Sequence, residues 1–269
     1  MRLNDKLILV TGAGSGMGRS LVLTLLERGA RVAAIDINEK GLEETTELAT
    51  DKNEALSTFK LDITDQQAVE TILSQIISKM GSVDGIINNA GIIQPFKKLN
   101  DVNYAVIERV LNVNWWGTIY ITKTLLPHLL KRPEAHIVNV SSMGGFFAFP
   151  GQTIYGASKA AIKIMTEGLI QELRHTKVQV SVVIPGAVNT NILSNSGLDT
   201  KVDKKEAANQ NLILSPDKAA GIIVKGIEKN KKRIFVGKDA KTMDLIYRLS
   251  PNRAVGFIAK KMGHHLPND

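Results

Sequence analysis

Tyr155 and Lys159 stand four residues apart, and Ser142 lies thirteen residues before the tyrosine. Residues four apart on a helix share a face, so a helix here would set a phenol beside an ammonium. An ammonium favours the phenolate and lowers the phenol pKa from its ordinary value near ~10. Each unit of depression takes about 1.4 kcal/mol of differential stabilisation. A tyrosine tuned in this way can take a proton from an alcohol or give one to a forming alkoxide. The Ser142 hydroxyl could hold the same oxygen. Alone, Tyr-x-x-x-Lys is a weak signal, because it arises by chance in many helices. Its weight comes from the segments upstream.

Short apolar runs alternate with helical patterns along the chain. Strands are expected at Lys6–Val10, Arg31–Ile35, Ala55–Leu61, Gly85–Ile87, His136–Val140, Val178–Ile184 and Arg233–Val236. Helices are expected at Gly16–Glu27, from Glu39 to about Asp51, at Gln66–Lys79, from Asp101 to about Leu130, at Ile154–Arg174 and at Pro216–Lys229. Such alternation predicts an α/β fold: a Rossmann-like, doubly wound parallel sheet of about seven strands with helices on both faces. Crossovers should be right-handed. Ligands of such sheets bind beyond the carboxyl ends of the strands. Those ends carry Thr11-Gly12, Asp36, Asp62, Asn88-Asn89, Ser141-Ser142 and Pro185-Gly186. Residues 1–237 read as one catalytic domain. Within it the irregular stretch 186–215 is long enough to serve as a lid.

The turn from the first strand to the first helix reads Thr11-Gly12-Ala13-Gly14-Ser15-Gly16-Met17-Gly18. Glycines there allow a tight turn and close approach of backbone to a pyrophosphate, and the helix N-terminus adds N–H donors and a favourable dipole. The spacing is Gly-x-x-x-Gly-x-Gly. It is neither Gly-x-Gly-x-x-Gly nor a Walker loop. A glycine-rich turn without a ligand is the plain alternative. Asp36 ends the second strand about twenty residues on, where a carboxylate accepts ribose hydroxyls and repels a 2′-phosphate. That favours NAD over NADP. Ile37 follows, so no arginine waits there for a phosphate, although Arg19 and Ser15 could soften the preference. Asp36 could instead cap the helix that follows.

Taken together, these residues resemble the short-chain dehydrogenase/reductase family in its compact single-domain branch, over roughly residues 5 to 237. Thr11-Gly12-x-x-x-Gly16-x-Gly18 looks like its cofactor motif, and Asn88-Asn89-Ala90-Gly91 like the motif beneath the cofactor. The resemblance implies cofactor contacts at Gly12, Ser15, Gly16, Met17, Gly18, Asp36 and Ile37. It implies more at Asp62 and Ile63 near the adenine, at Asn89, Ala90 and Gly91, and at Pro185, Gly186, Val188 and Thr190 near the nicotinamide carboxamide. It further implies a catalytic set of Asn114, Ser142, Tyr155 and Lys159. In that set Tyr155 is the acid/base and Lys159 lowers its pKa while binding the nicotinamide ribose. Ser142 orients the substrate oxygen, and Asn114 holds a water that links Lys159 to solvent. Hydride moves between the substrate carbon and the nicotinamide, so the cofactor supplies the difficult chemistry. Ser141 competes with Ser142, but spacing favours Ser142 and period-two alternation turns Ser141 the other way.

Composition narrows the remaining classes. The 269 residues are 43% apolar and 22% charged, with a net charge of +8 and no cysteine. Disulfides, thiolate catalysis and cysteine-ligated metal sites are excluded. No secretory signal and no membrane span is visible, so a cytoplasmic protein is the expectation. The lysines sit singly or in pairs with no aromatic-laced basic stripe, and nucleic-acid binding is not expected. No metal site is expected either, since His264-His265 has no companion ligands.

Met143, Phe146, Phe147 and Phe149 lie between Ser142 and Tyr155. With Ile93, Pro95, Phe96, Ile192, Leu193 and Leu198 they are candidate walls for a hydrophobic secondary alcohol or ketone. The same aromatics could instead pack the core or a subunit interface. Trp115-Trp116 reads as core or interface. The resemblance implies a homodimer or homotetramer. Residues 238–269 form a basic amphipathic tail. It could touch a membrane surface, but packing over the lid or a partner is the favoured reading. The alternatives to an NAD-dependent dehydrogenase are an NADPH-dependent ketone reductase and a dinucleotide-sensing regulator without chemistry.

Overall fold

The computed structural model describes residues 1–147, 149–198 and 213–262, the side chains of 257–262 excepted. In chain order the elements are β1 (Leu7–Thr11), α1 (Gly16–Glu27), β2 (Arg31–Asp36), α2 (Glu39–Ala49), β3 (Leu56–Lys60), α3 (Gln66–Met80), β4 (Gly85–Asn88) and α4 (Tyr104–Leu111). There follow α5 (Gly117–Leu129), β5 (Ala135–Val140), α6 (Thr153–Glu172), β6 (Val178–Pro185), α7 (Ile192–Asn195), α8 (Pro216–Glu228), β7 (Arg233–Val236), α9 (Lys238–Leu249) and α10 (Pro251–Met262). The strands form one parallel sheet in the order β3-β2-β1-β4-β5-β6-β7. The order reverses between β1 and β4, which opens a crevice at that point.

Period-two alternation explains why the central strands carry apolar residues on both faces. Ile8 and Val10 face one side of the sheet, packing with Leu21 and Leu25 of α1 and Ile223 and Ile227 of α8. Leu7 and Leu9 face the other, packing with Leu73 and Ile76 of α3, Ile121 and Leu125 of α5 and Ile170 of α6. Both faces of the central strands are covered, whereas the edge strand β3 leaves Thr58 and Lys60 exposed. Four of the helices begin at a side-chain cap. Asn38 accepts from Gly41 N, Asp65 from Ala68 N, Asn103 from Val106 N and Ser215 from Lys218 N.

Two buried polar groups brace the amino end of the sheet. The Asp84 carboxylate accepts from Leu7 N at 3.1 Å and from Arg132 Nε and Nη2 at 2.9 and 2.8 Å. His136 Nε2 lies 2.7 Å from Ser181 Oγ, which itself donates to Lys231 O. That assigns the Nε2–H tautomer and leaves Nδ1 without a partner among the described residues. Burial, and secondarily the Met1 ammonium, pull the His136 pKa down to about 3.

The structure departs from the expected helix at 101–130. A short tight turn at Leu99–Asp101 precedes α4, and a wide helical turn at Asn112–Trp116 joins α4 to α5. The widening falls at Asn114, whose side chain is held by Ile92. Asn114 Oδ1 accepts from Ile92 N and Nδ2 donates to Ile92 O, both at 2.9 Å. Trp116 also departs from the core reading: it is 45% exposed and stacks on Tyr120.

Candidate active site

At the crevice the β1–α1 turn is built by contact with β4. Gly12 has φ 68°, and a Cβ there would lie 2.9 Å from Ala90 Cα, so no larger residue fits. Thr11 Oγ1 accepts from Asn89 N and Ala90 N at 3.1 Å each. Asn89 Nδ2 donates to Thr11 O at 3.0 Å and Gly12 O at 3.3 Å. Among the described residues no side chain caps α1. Its first N–H groups and dipole therefore face the crevice in the arrangement that suits a pyrophosphate.

The crevice divides into two adjoining chambers that share Gly12, Ser15, Asp36, Ala90, Gly91 and Asn195. The larger, about 660 Å³, is lined by Ile37, Asp62, Ile63, Glu108 and Arg109, among others, and fits an adenosine. Asp36 faces it with Oδ2 accepting from Gly14 N at 2.8 Å and Oδ1 from Asn38 N at 2.9 Å. A carboxylate has about four acceptor positions, so capacity remains for ribose hydroxyls. Arg19 is tied back within the protein through Nε and Nη2, which donate to Thr45 Oγ1, Gly14 O, Gly41 O and the Glu44 carboxylate. Asp62 Oδ1 is held by Thr64 N and Thr64 Oγ1.

The smaller chamber, about 290 Å³, brings Ser142, Tyr155 and Lys159 together with Met17, Gly18, Asn89, Pro185, Gly186, Val188 and Thr190. Tyr155 and Lys159 project from one face of α6. The Ser142 hydroxyl accepts from Gly144 N at 3.0 Å and lines the chamber with Tyr155. Ser141 is turned inward, as alternation predicts, and donates to Lys159 O at 2.7 Å. Lys159 Nζ donates to Val140 O at 3.1 Å. A Cβ on Gly91 would lie 2.9 Å from that Nζ and 3.2 Å from Asn114 Oδ1, so a larger residue would have to displace the ammonium. The Asn114 side chain is committed to Ile92 and, through Nδ2, to Ser158 Oγ at 2.9 Å.

The electrostatics correct one expectation. Burial raises the Tyr155 phenol above its ordinary value, and the nearby Ser142 hydroxyl offsets only part of that. Tyr155 is half-buried, open toward the chamber, with protein packed round its other sides. Burial also lowers Lys159 to about 8. Desolvation sets the direction for both groups in the chain alone, and Lys159 is not among the causes that shift Tyr155.

Other expectations are partly revised. Phe147 is buried against Ala254 of α10, with Met143, Phe146, Phe149, Met243 and Tyr247 around it. These aromatics pack beneath α9 and α10; of the candidate walls, Ile93 and Ile192 line the chamber. The tail covers the segment between Ser142 and Tyr155. Of the lid, residues 199–212 lie outside the described residues, as do His264 and His265.

Two residues escaped the sequence reading. Gln94 is fully buried, and its Oε1 accepts from Ile154 N at 2.8 Å and Tyr155 N at 3.1 Å. It thereby caps α6, which has no side-chain cap of its own. The other is Asp239, which accepts from Ala187 N. No local signal marks Gln94, since it caps a helix sixty residues away.

A profile of the short chain dehydrogenase family matches residues 6–201. The chain is 35% identical over 269 residues to a Mycobacterium tuberculosis protein named "Putative oxidoreductase SadH", covering 97% of each chain. It is 33% identical over 192 residues to the 3-oxoacyl-[acyl-carrier-protein] reductase FabG of Thermotoga maritima, covering 71% of this chain and 77% of that one. The solved 3-ketoacyl-(acyl-carrier-protein) reductase of Brucella melitensis, complexed with NADH, superposes with a TM-score of 0.78 at 27% identity. That match covers 87% of this chain and 97% of the other. The chain belongs to the short-chain dehydrogenase family. It is an NAD(P)-dependent oxidoreductase acting on CH–OH groups.

Proposed function

We propose that the chain transfers hydride between NAD and a hydrophobic secondary alcohol or ketone, with Tyr155 as acid/base. The observation that carries this reading is the convergence of Ser142, Tyr155 and Lys159 on one chamber beside the glycine-rich turn. When bound, the nicotinamide supplies the hydride exchange. The chain's own residues handle the proton and the geometry. Ser142 holds the substrate oxygen against the Tyr155 hydroxyl, which gives or takes the proton at that oxygen. Lys159, lowered to about 8 by burial, can exchange protons near neutrality and holds the nicotinamide ribose. Gly91 leaves room for its ammonium.

NAD rather than NADP is supported by two observations. Asp36 would repel a 2′-phosphate in the adenosine chamber. Arg19, the cation that could have accepted that phosphate, is bound by four acceptors within the protein. An apolar substrate is supported by Ile93, Val188 and Ile192 around the smaller chamber, where Asp36 and Lys159 are the only charged side chains among the described residues. The exposed Trp116–Tyr120 stack and Ile164, 62% exposed, suit a contact between copies of the chain.

Parallel titration with NADH and NADPH, read by energy transfer from Trp115 and Trp116, tests the cofactor. Tighter NADH binding is expected, and an NADPH preference would sink the reading of Asp36. A screen of alicyclic, fatty and steroid-like ketones tests the substrate. Turnover of sugars alone would exclude the apolar pocket. Sedimentation should show a dimer or tetramer, and a monomer at micromolar concentration would remove the interface.

A further inference from the structure

The smaller chamber is closed on one side by the loop that leaves β6, from Pro185 to Thr190. That loop is held from outside the chamber. Asp239, in the first turn of α9, accepts from Ala187 N at 2.8 Å. Two glycines clear the space its carboxylate occupies: a Cβ on Gly186 or on Gly237 would collide with it. Gly237 has φ 107°, a conformation that favours glycine, and it turns the chain from β7 into α9. Gly186 N donates to Val236 O at 2.9 Å, which pins the loop to β7 beside the carboxylate. Ala240 is fully buried with Val182 and Ile184 of β6, so α9 cannot slide away from the sheet. Asp239 touches neither chamber, but Gly186 and Ala187 line the smaller one. None of the residues from 185 to 190 lines the larger.

We infer that Asp239 is a positioning residue for the nicotinamide half of the cofactor. It fixes the β6 loop by accepting from Ala187 N, and so couples α9, which lies beyond the residues matched by the family profile, to cofactor binding. The inference rests on the reading that the crevice holds a nicotinamide dinucleotide. Because the loop borders one chamber only, losing Asp239 affects the two halves of the cofactor unequally. General loss of structure would weaken both.

The test compares the full-length wild type with D239A and D239N, each titrated with NADH and with AMP. NADH reports both chambers and AMP the adenosine chamber alone. D239A should weaken NADH about tenfold while leaving AMP within about twofold. D239N, whose amide oxygen still accepts from Ala187 N, should stay near wild type for both. Unchanged NADH affinity in D239A, equal losses of NADH and AMP, or a loss in D239N equal to that in D239A would overturn the inference. A wild type that binds AMP but neither NADH nor NADPH would overturn the nicotinamide reading itself, and the inference with it.

Discussion

Two buried charges at opposite ends of the sheet are treated differently. Asp84 at the amino end and Lys159 at the carboxyl end are 3% and 4% exposed. Asp84 is surrounded by donors: Leu7 N, the Arg132 guanidinium and, at 3.6 Å, the Lys6 ammonium. Lys159 donates to Val140 O, and no carboxylate among the described residues pairs with it. A buried charge with its partners in place is part of the framework. One left without a counter-charge is held ready for a ligand, at a cost to stability. The amino end of this sheet is therefore finished by the chain itself, whereas the carboxyl end is completed by what binds there.

That contrast breaks first at Tyr155. Tyr155→Phe should lower turnover about 10³-fold while NADH affinity stays within about twofold. Undiminished turnover would mean that the carboxyl end is no more specialised than the amino end. Next is Asp84→Ala, which strips Arg132 and Leu7 N of their acceptor. It should lose about 3 to 4 kcal/mol in urea denaturation, with NADH affinity in the surviving folded fraction unchanged.

Lys159→Met should do the opposite and stabilise the cofactor-free chain by about 3 kcal/mol at pH 7. The sign follows from a pKa of about 8 folded against 10.5 unfolded. Below pH 8 both states carry the proton and the full cost of burying it is present. Between 8 and 10.5 the unfolded chain keeps a proton that the folded chain releases, so wild-type stability rises. The advantage of the variant should fade by about pH 10.5, and a constant difference across that range would refute the assignment. The smallest effect lies at His136, with a pKa of about 3 folded against 6.5 unfolded. Wild-type stability should fall by about 2 kcal/mol on this account between pH 7 and pH 5. His136→Asn should lack that increment when both are unfolded in urea at the two pH values.

Most of the sheet was legible because burial on two faces leaves a mark in sequence. Leu7 and Leu9 against Ile8 and Val10 are one apolar run that serves two cores. The strand ends were legible for a related reason: Thr11, Asp36, Asn88 and Ser142 interrupt apolar runs with groups that have to find partners. Gln94 and Asp239 could not be read in this way. Each acts on backbone that is distant in sequence, Gln94 on Ile154 N and Tyr155 N and Asp239 on Ala187 N. The position of Phe147 was equally hidden, since its partner Ala254 arrives with the last helix. The raised Tyr155 pKa was missed because four-residue spacing reports the neighbouring charge but says nothing of desolvation.

The support of Gly12 by Ala90 and Asn89 bears on how the protein comes into being at the ribosome. A nascent chain that has emerged only through β3 carries every glycine of the first turn, yet the floor beneath that turn has not left the ribosome. The dinucleotide seat comes into existence when β4 docks beside β1, which requires closing a long segment of chain. Cofactor capture during translation would therefore time the insertion of the fourth strand, and a fluorescent dinucleotide could serve as the clock.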